Sequence, residues 1–278
     1  MISEHASSTA LLLLPGIQFY TGQLFDICTI TAHARSLGIF VVWDLAHAVG
    51  NVPLHLHDWN VDAAAWCSYK YLNAGPGAIG GLFVHERNSQ VSTSEDGAGF
   101  PNRLCGWWGS DKNGRFATAN HFTPSPGAAG FQLSNPSVMD ITSLCASLEV
   151  FAMTDMSALR NKSLQLTGYL ELLLRRLRAK DERGQDAFEI ITPADPAQRG
   201  AQLSLKLEDG LLHPVLATLE GCGVVVDERE PDVIRVAPVP LYNTFTDVYD
   251  FVCYFQDALI RAKYNGRGRH KGGGSTVG

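Results

Sequence analysis

The chain has 278 residues, 45% of them hydrophobic, with a formal net charge of −6 and an isoelectric point near 5.8. This size suffices for one large domain or two smaller ones. The acidic balance excludes an electrostatic footprint for nucleic acid or an anionic membrane, and the short basic run RGRHK near the end does not reverse it. Six cysteines, at 28, 67, 105, 145, 222 and 253, show no CxxC pairing and read as reduced, mostly buried thiols of a cytoplasmic protein. The early LLLL run follows Glu4 and His5 where a signal peptide would carry positive charge. No apolar stretch approaches the roughly 20 residues of a transmembrane helix, and there is no internal repeat.

Residues 10–14 read as a short apolar strand. Thr21 is expected to cap a helix whose apolar positions Leu24, Ile27, Cys28, Thr31, Ala34 and Leu37 follow helical spacing, and Gly38 to end it. Strand 39–43 follows at once, so this is a βαβ unit with parallel pairing and a right-handed crossover. Such a unit belongs inside a larger doubly wound sheet, whose beginning is expected to be absent. The strand end delivers Asp44 and, three residues on, His47. A second apolar run, Val61 to Trp66, ends in Cys67-Ser68-Tyr69-Lys70, and a glycine-rich turn leads to a third, Leu82 to Val84. Titratable residues thus sit just past the C-terminal ends of two strands, the edge where open α/β sheets bind ligands.

A polar, loop-like stretch runs from Asn88 to Arg103, then the aromatic GWWG and a Gly/Pro-rich segment to Pro136. Helical spacing predicts helices over 137–153, with Leu144, Leu148 and Phe151 on one face, and over 156–180, with Leu166, Leu170, Leu173 and Leu177 on another. Strands are expected at 187–192, 201–207, 223–227 and 232–236, and helices near 210–220 and 245–263, which makes an α+β unit. The pattern divides the chain into an α/β domain, 1–136, linking helices with a smaller C-terminal domain, 137–264, and a disordered tail, 265–278.

A lysine with a lowered pKa forms a Schiff base because the neutral amine is the nucleophile. Pyridoxal phosphate (PLP) sites need that lysine and a carboxylate paired with the pyridinium nitrogen, a charge-assisted hydrogen bond worth roughly 1.5–3 kcal/mol. Lys70 and Asp44 suit these roles. From spacing alone, an ordinary Asp at a strand end and an exposed loop Lys are the commoner reading of these residues.

Three other motifs are discounted. Gly75-Pro-Gly-Ala-Ile-Gly80 matches GxGxxG, but a dinucleotide fingerprint follows a strand and opens a helix. Here a loop precedes and a strand follows, so the glycines serve a tight turn. His47, His55 and His57 hint at metal, yet HLH on an extended segment puts only the last two rings on one face, and no metal is expected. Trp107 and Trp108 by default are core or interface aromatics.

The wording WDLAHAVGNVPL and HDWNVDAAAWCSYKYLNAGPGAIGG resembles kynureninase, a PLP-dependent hydrolase of the aspartate-aminotransferase fold type (fold type I). The likeness continues through LLPGIQFYTGQ, GWWG, FQLSNPS, KSLQLTGYLE and IRVAPVPLYNTFTDVY, covering about residues 10–260 in order. Cysteine desulfurases and related class V aminotransferases share the Asp and Lys logic but not this wording. The resemblance implies an α/β fold, a partial PLP-transferase-like large domain with a mainly parallel sheet followed by the smaller α+β domain. It also implies hydrolysis of L-kynurenine or 3-hydroxy-L-kynurenine to anthranilate or 3-hydroxyanthranilate and L-alanine, in tryptophan catabolism and NAD biosynthesis.

The same resemblance assigns roles. Lys70 bonds the cofactor and shuttles protons, Asp44 holds the pyridinium nitrogen and His47 lies against the ring. Tyr69 binds the phosphate and serves as acid or base. Trp107 and Asn135 match positions that reach the site from the neighbouring subunit of a homodimer. Arg235 grips the substrate α-carboxylate, although an Arg on a solvated strand face is the local alternative, and Ser110 lies near the aryl group. Full-length kynureninases carry well over a hundred residues ahead of the LLPG strand, supplying a phosphate-binding Thr loop, a stacked aromatic and another acid. The chain as given is therefore expected to have little or no activity. A truncated remnant of a kynureninase and a different fold-type-I PLP lyase are the alternatives.

Overall fold

The computed structural model describes residues 1–94, 97–117, 119–177 and 187–270, with the backbone alone at 93–94, 97–98 and 264–270. It forms two compact units, residues 1–17 with 25–155 and residues 18–24 with 156–278.

In the first unit a short helix, α1 (Ile2–His5), precedes β1 (Leu11–Pro15), α2 (Ile27–Ser36), β2 (Phe40–Asp44), β3 (Ala63–Cys67) and β4 (Gly80–Val84). They make a four-stranded sheet ordered β1-β2-β3-β4. The first three strands are parallel and β4 is antiparallel to β3, so the sheet is mixed and mostly parallel.

The cap of α2 differs from expectation. Thr21 lies in a turn whose amides donate to Gln18 Oε1, and the helix begins five residues later. There Asp26 accepts the Thr29 N–H at 2.9 Å, a bond that holds the Asp26 carboxyl below its usual range. A carboxylate satisfies an orphan helix donor better than a hydroxyl already engaged in a turn. Ile27, Thr31 and Ala34 form the buried stripe, and Thr31 tolerates burial because its hydroxyl accepts the Trp43 indole N–H at 2.9 Å. Gly38, at φ 78°, ends the helix in the left-handed region.

The hairpin β5 (Ser92–Ser94) and β6 (Gly97–Gly99) and two single-turn 3-10 helices, Trp107–Gly109 and Ala128–Phe131, lead to α3 (Val138–Phe151). No residue of α3 is buried. The helix belongs to the first unit, with the loop after β3: Ser143 and Ser147, one turn apart, donate to the carbonyls of Ala74 and Leu72.

The second unit contains α4 (Met156–Arg176), β7 (Phe188–Ile190), β8 (Leu203–Leu207), α5 (Leu212–Gly221), β9 (Asp227–Arg229), β10 (Val233–Val236) and α6 (Phe245–His270). Its antiparallel sheet runs β7-β8-β10-β9. Leu166, Leu170 and Leu174 of α4 enter one apolar core with Leu205, Leu219, Ile234 and Phe255. Residues 18–24 join this unit through backbone groups: the Phe19 carbonyl accepts from Gln202 Nε2 at 3.1 Å and the Tyr20 carbonyl from Ser204 Oγ at 2.6 Å.

Two further expectations are corrected. The strand placed at 223–227 is β9, three residues long and later in the chain. Residues 265–270 continue α6 instead of beginning a disordered tail; residues 271–278, and 178–180 of the expected 156–180 helix, lie outside the described residues. The cysteines are all free, but five are exposed and Cys67 is half-buried: Cys28 and Cys253 occupy outward positions of α2 and α6, and Cys145 lies on α3, which buries none of its residues.

One buried carboxylate fixes the start of β3. Asp62, 4% exposed, accepts from Arg35 at 2.6 Å, Arg87 at 2.7 Å, Asn88 at 3.0 Å and the Val41 amide at 2.9 Å. Burial pushes its carboxyl up, but these donors together outweigh that and hold it below the ordinary carboxylate range. We predict that Asp62→Ala, which strands two guanidinium groups, lowers stability by about 2–4 kcal/mol in urea unfolding at pH 7. A depressed folded-state pKa contributes stability above the unfolded value near ~4 that is lost as pH falls through the folded value, so the gap between the two proteins narrows toward pH ~3.

Candidate functional site

The site is built where β2 and β3 end side by side. Asp44 pairs with Ala65 in parallel register, and the ladder continues one step beyond the strand through Leu45 N–H to the Ala65 carbonyl at 2.8 Å. Asp44 is exposed, and its Oδ1 accepts the Ala46 N–H at 2.9 Å, which sets the direction of the carboxylate. The chain then turns through 45–52, bringing the Ala46 carbonyl to Cys67 Sγ at 3.9 Å and His47 edge-on to Tyr71, with ring centroids 6.3 Å apart.

Lys70 occupies the loop after β3, which is tied down at both ends. The Ser68 hydroxyl donates to the Ile79 carbonyl at 2.5 Å, the Ala74 amide to the Ser68 carbonyl at 3.0 Å, and the Asn73 amide to the Lys70 carbonyl at 2.9 Å. Asn73 takes a left-handed conformation, φ 56°, which Asn tolerates better than most residues. The Lys70 amine sits over the Tyr69 ring, 5.4 Å from its centroid, a cation–π geometry. Lys70 is half-buried and Tyr69 exposed. The GxGxxG stretch behaves as a turn, with Gly75 and Gly77 at φ 88° and 83° and β4 following.

Asp44, His47, Tyr69 and Lys70 are therefore gathered at one sheet edge. Tyr71, which sequence reasoning did not single out, belongs with them as the neighbour of His47. The only signal for it is its place beside Lys70. Gly50 is a second omission: at φ 79°, a Cβ there would stand 2.9 Å from the Tyr71 carbonyl group, so glycine alone lets the two loops meet.

Trp107, Ser110 and Asn135 lie on segments held to one another. The Gly106 backbone packs against Leu133, and Gly109 against Gly130 and Gln132. Ser110 Oγ donates to the Trp107 carbonyl at 2.7 Å. Trp107 is exposed and packs edge-on to Phe116 with centroids 5.7 Å apart, so it and Trp108 are not core residues. Asn135 is exposed.

Arg235, in the second unit, is not on a solvated face. It is 7% exposed, donates from Nη1 to the Phe19 carbonyl at 2.8 Å and pairs with the Asp227 carboxylate. A buried guanidinium already holding a carboxylate has the geometry that carboxylate recognition requires. The extended HLH reading fails: His55 packs on Trp59 at 5.6 Å and His57 stacks on His85 at 4.8 Å, so the two rings take different partners.

The mixed, mostly parallel sheet is that of PLP-dependent fold-type-I enzymes. Solved relatives in fold include the cysteine desulfurase of Thermococcus onnurineus NA1 (TM-score 0.72, 16% identity, covering 93% of this chain and 62% of that one). A C-DES variant with glycine covalently linked to its PLP cofactor superposes with a TM-score of 0.71 at 18% identity, over 92% of this chain and 63% of the other. These likenesses establish the fold. The sequence is more specific: residues 159–255 match the kynureninase C-terminal domain. Kynureninase 1 of Chaetomium globosum is 62% identical over 94% of this chain and 54% of its own length. Kynureninase 2 of Neurospora crassa is 62% identical over 95% and 56%, and the kynureninase of Coccidioides immitis 60% identical over 94% and 55%. The chain is a kynureninase relative along nearly all its length, and it spans about half the length of the curated relatives it matches.

We predict that Gly50→Ala, strained at positive φ and overlapping the Tyr71 backbone, costs at least about 1 kcal/mol. Its effect reaches the Lys70 loop, read as faster amide hydrogen exchange at Asn73 and Ala74. Unchanged exchange at both would show that the close approach does not hold the loop.

Proposed function

We propose that this chain carries the lysine-bearing part of a kynureninase-type site, which uses PLP to hydrolyse L-kynurenine or 3-hydroxy-L-kynurenine to anthranilate or 3-hydroxyanthranilate and L-alanine. The observation that supports this best is the convergence of Asp44, His47 and Lys70 on one sheet edge, within a chain about 60% identical to curated kynureninases. The donor set fits the cofactor: a strand-end carboxylate for a protonated ring nitrogen, an imidazole beside it, and a half-buried amine for the aldehyde.

When bound, PLP supplies an electron sink for charge developing at the substrate carbons. The chain's own groups do the rest. Asp44 would accept the hydrogen bond of a protonated ring nitrogen, and His47, set by Tyr71, would flank the ring. The Lys70 amine takes the proton from the substrate Cα. The Tyr69 phenol, beside that amine, binds phosphate and gives or takes a proton at the aryl ketone, where water adds before the Cβ–Cγ bond breaks. Arg235 binds the α-carboxylate through its guanidinium fork. Trp107, Asn135 and Ser110 are proposed to line the cofactor and aryl positions, Trp107 and Asn135 from the partner copy of a homodimer. Among the described residues no helix is long and apolar enough to cross a membrane, and the proposed setting is tryptophan catabolism and NAD biosynthesis in the cytoplasm.

The test is chemical mapping. The chain is incubated with excess PLP, reduced with borohydride and digested. The pyridoxyl group is expected on the Lys70 peptide and is lost in Lys70→Ala; its appearance on another lysine would overturn the assignment. In a protein that carries this segment at the full family length, release of fluorescent anthranilate from L-kynurenine separates this activity from cysteine-desulfurase chemistry. There Arg235→Ala is expected to raise KM by about 10–100-fold, the loss of one charge-assisted carboxylate contact. A wild-type KM would contradict its role.

A further inference from the structure

At the opposite edge of the same sheet lies a cluster for which the proposed reaction has no use. β4 ends where β3 begins, with Val84 paired to Ala63 and the His85 amide donating to the Asp62 carbonyl at 3.0 Å. His85 and Glu86 therefore stand at the N-terminal edge of β3, away from the edge that carries Asp44 and Lys70. The turn 56–60 brings His57 onto them: its ring stacks on His85 with centroids 4.8 Å apart, and its Nε2 lies 3.8 Å from Glu86 Oε1. One ligand-type atom from each of His57, His85 and Glu86 falls within 4.8 Å of the other two.

Two features distinguish this cluster from incidental surface polarity. His85 is 6% exposed, and its Nε2 is buried with no hydrogen-bond partner, an arrangement that native interiors seldom leave unexplained. Behind His57, Asp58 Oδ1 lies 3.4 Å from Nδ1. A carboxylate there can accept a proton held on Nδ1, which leaves the Nε2 lone pair to ligate, the carboxylate–histidine arrangement that supports metal ligands.

We propose that His57, His85 and Glu86 bind one divalent transition-metal cation of the zinc class, with water completing the shell and Asp58 orienting His57. Two imidazoles and one carboxylate suit a borderline cation better than calcium or magnesium, which take oxygen ligands. Bond lengths near about 2.0–2.2 Å require the ligand atoms to close to roughly 4 Å or less from one another. The room for this is on one side: His85 is fixed by burial, while the His57 and Glu86 side chains are 63% and 75% exposed. His57 tilts out of its stack to present Nε2, and His85 gives up the weak 3.4 Å contact from the Arg87 amide to Nδ1, so that the proton moves to Nδ1. The positive charge of Arg35 and Arg87 is offset in part by Asp62, which both contact. A bound cation would tie the 56–60 turn to the end of β4 and so brace the sheet from the side opposite its chemistry.

The test is titration of the purified chain with Co²⁺ alone, whose spectrum separates nitrogen and oxygen ligands from thiolate, followed by displacement with Zn²⁺. Five exposed cysteines make that separation necessary. One Co²⁺ per chain is expected, with no thiolate charge-transfer band. His57→Ala and Glu86→Gln, both at exposed positions, should each weaken binding about tenfold or more, and Asp58→Asn by about tenfold. His55→Ala, next to the cluster but packed on Trp59, should leave binding unchanged. Absence of binding at millimolar Co²⁺, a spectrum dominated by thiolate, or equal affinity in wild type, His57→Ala and Glu86→Gln would each overturn the site.

Discussion

The parallel pairing of β2 and β3 is the constraint on which the rest depends. Parallel strands leave the sheet at the same edge, so the residues that follow each strand are gathered without further instruction. The register from Val42↔Ala63 to Asp44↔Ala65, extended by the Leu45–Ala65 hydrogen bond, sets Asp44 level with the exit of β3. A slip of one residue would turn the Asp44 side chain to the other face of the sheet. Everything else in the first unit serves that register. Asp62 pins the entry of β3 to the Val41 amide of β2, Gly81 leaves space for the Trp66 indole opposite it, and Ser143 and Ser147 of α3 hold the loop that follows Lys70.

Charge is managed differently at Asp62 and at Arg235, both buried. Asp62 is satisfied by four donors that hold its carboxyl below the ordinary carboxylate range, a structural solution. Among the contacts of Arg235 are the Phe19 carbonyl and the Asp227 carboxylate, which is itself half exposed. A guanidinium needs compensation when buried, and here its carboxylate partner lies nearer the surface. Arg199, by contrast, is bound at 2.5 Å to Glu171, within the same unit and 2% exposed, and shows what a permanent pair looks like.

Much of this was legible in the sequence. The apolar runs ending in Asp44 and Lys70, the terminating Gly38 and the α4 stripe Leu166–Leu170 follow from periodicity and backbone preference, because strands and amphipathic helices write their burial into local spacing. What was not legible is what depends on distant partners. The cap of α2 moved from Thr21 to Asp26 because Gln18 claims the turn. The exposure of Cys28 and Cys253 reflects which helix face packs, and the meeting of His57 with His85 joins residues 28 positions apart through the β3–β4 pairing. The HLH motif drew attention to the wrong pair, since the turn at 56–60 sends His55 to Trp59. Arg235 looked like a surface residue because alternation within β10 marks two faces without saying that residues 18–24 cover one of them.

The central claim is that Asp44 and Lys70 serve one cofactor. The most direct measurement is the ¹⁵N NMR shift of the pyridine nitrogen of labelled PLP bound to the protein, compared between wild type and Asp44→Asn at neutral pH. A protonated nitrogen in the wild type and a deprotonated one in the variant, with the label on Lys70 in both, is the predicted result. The same shift in both proteins would contradict it.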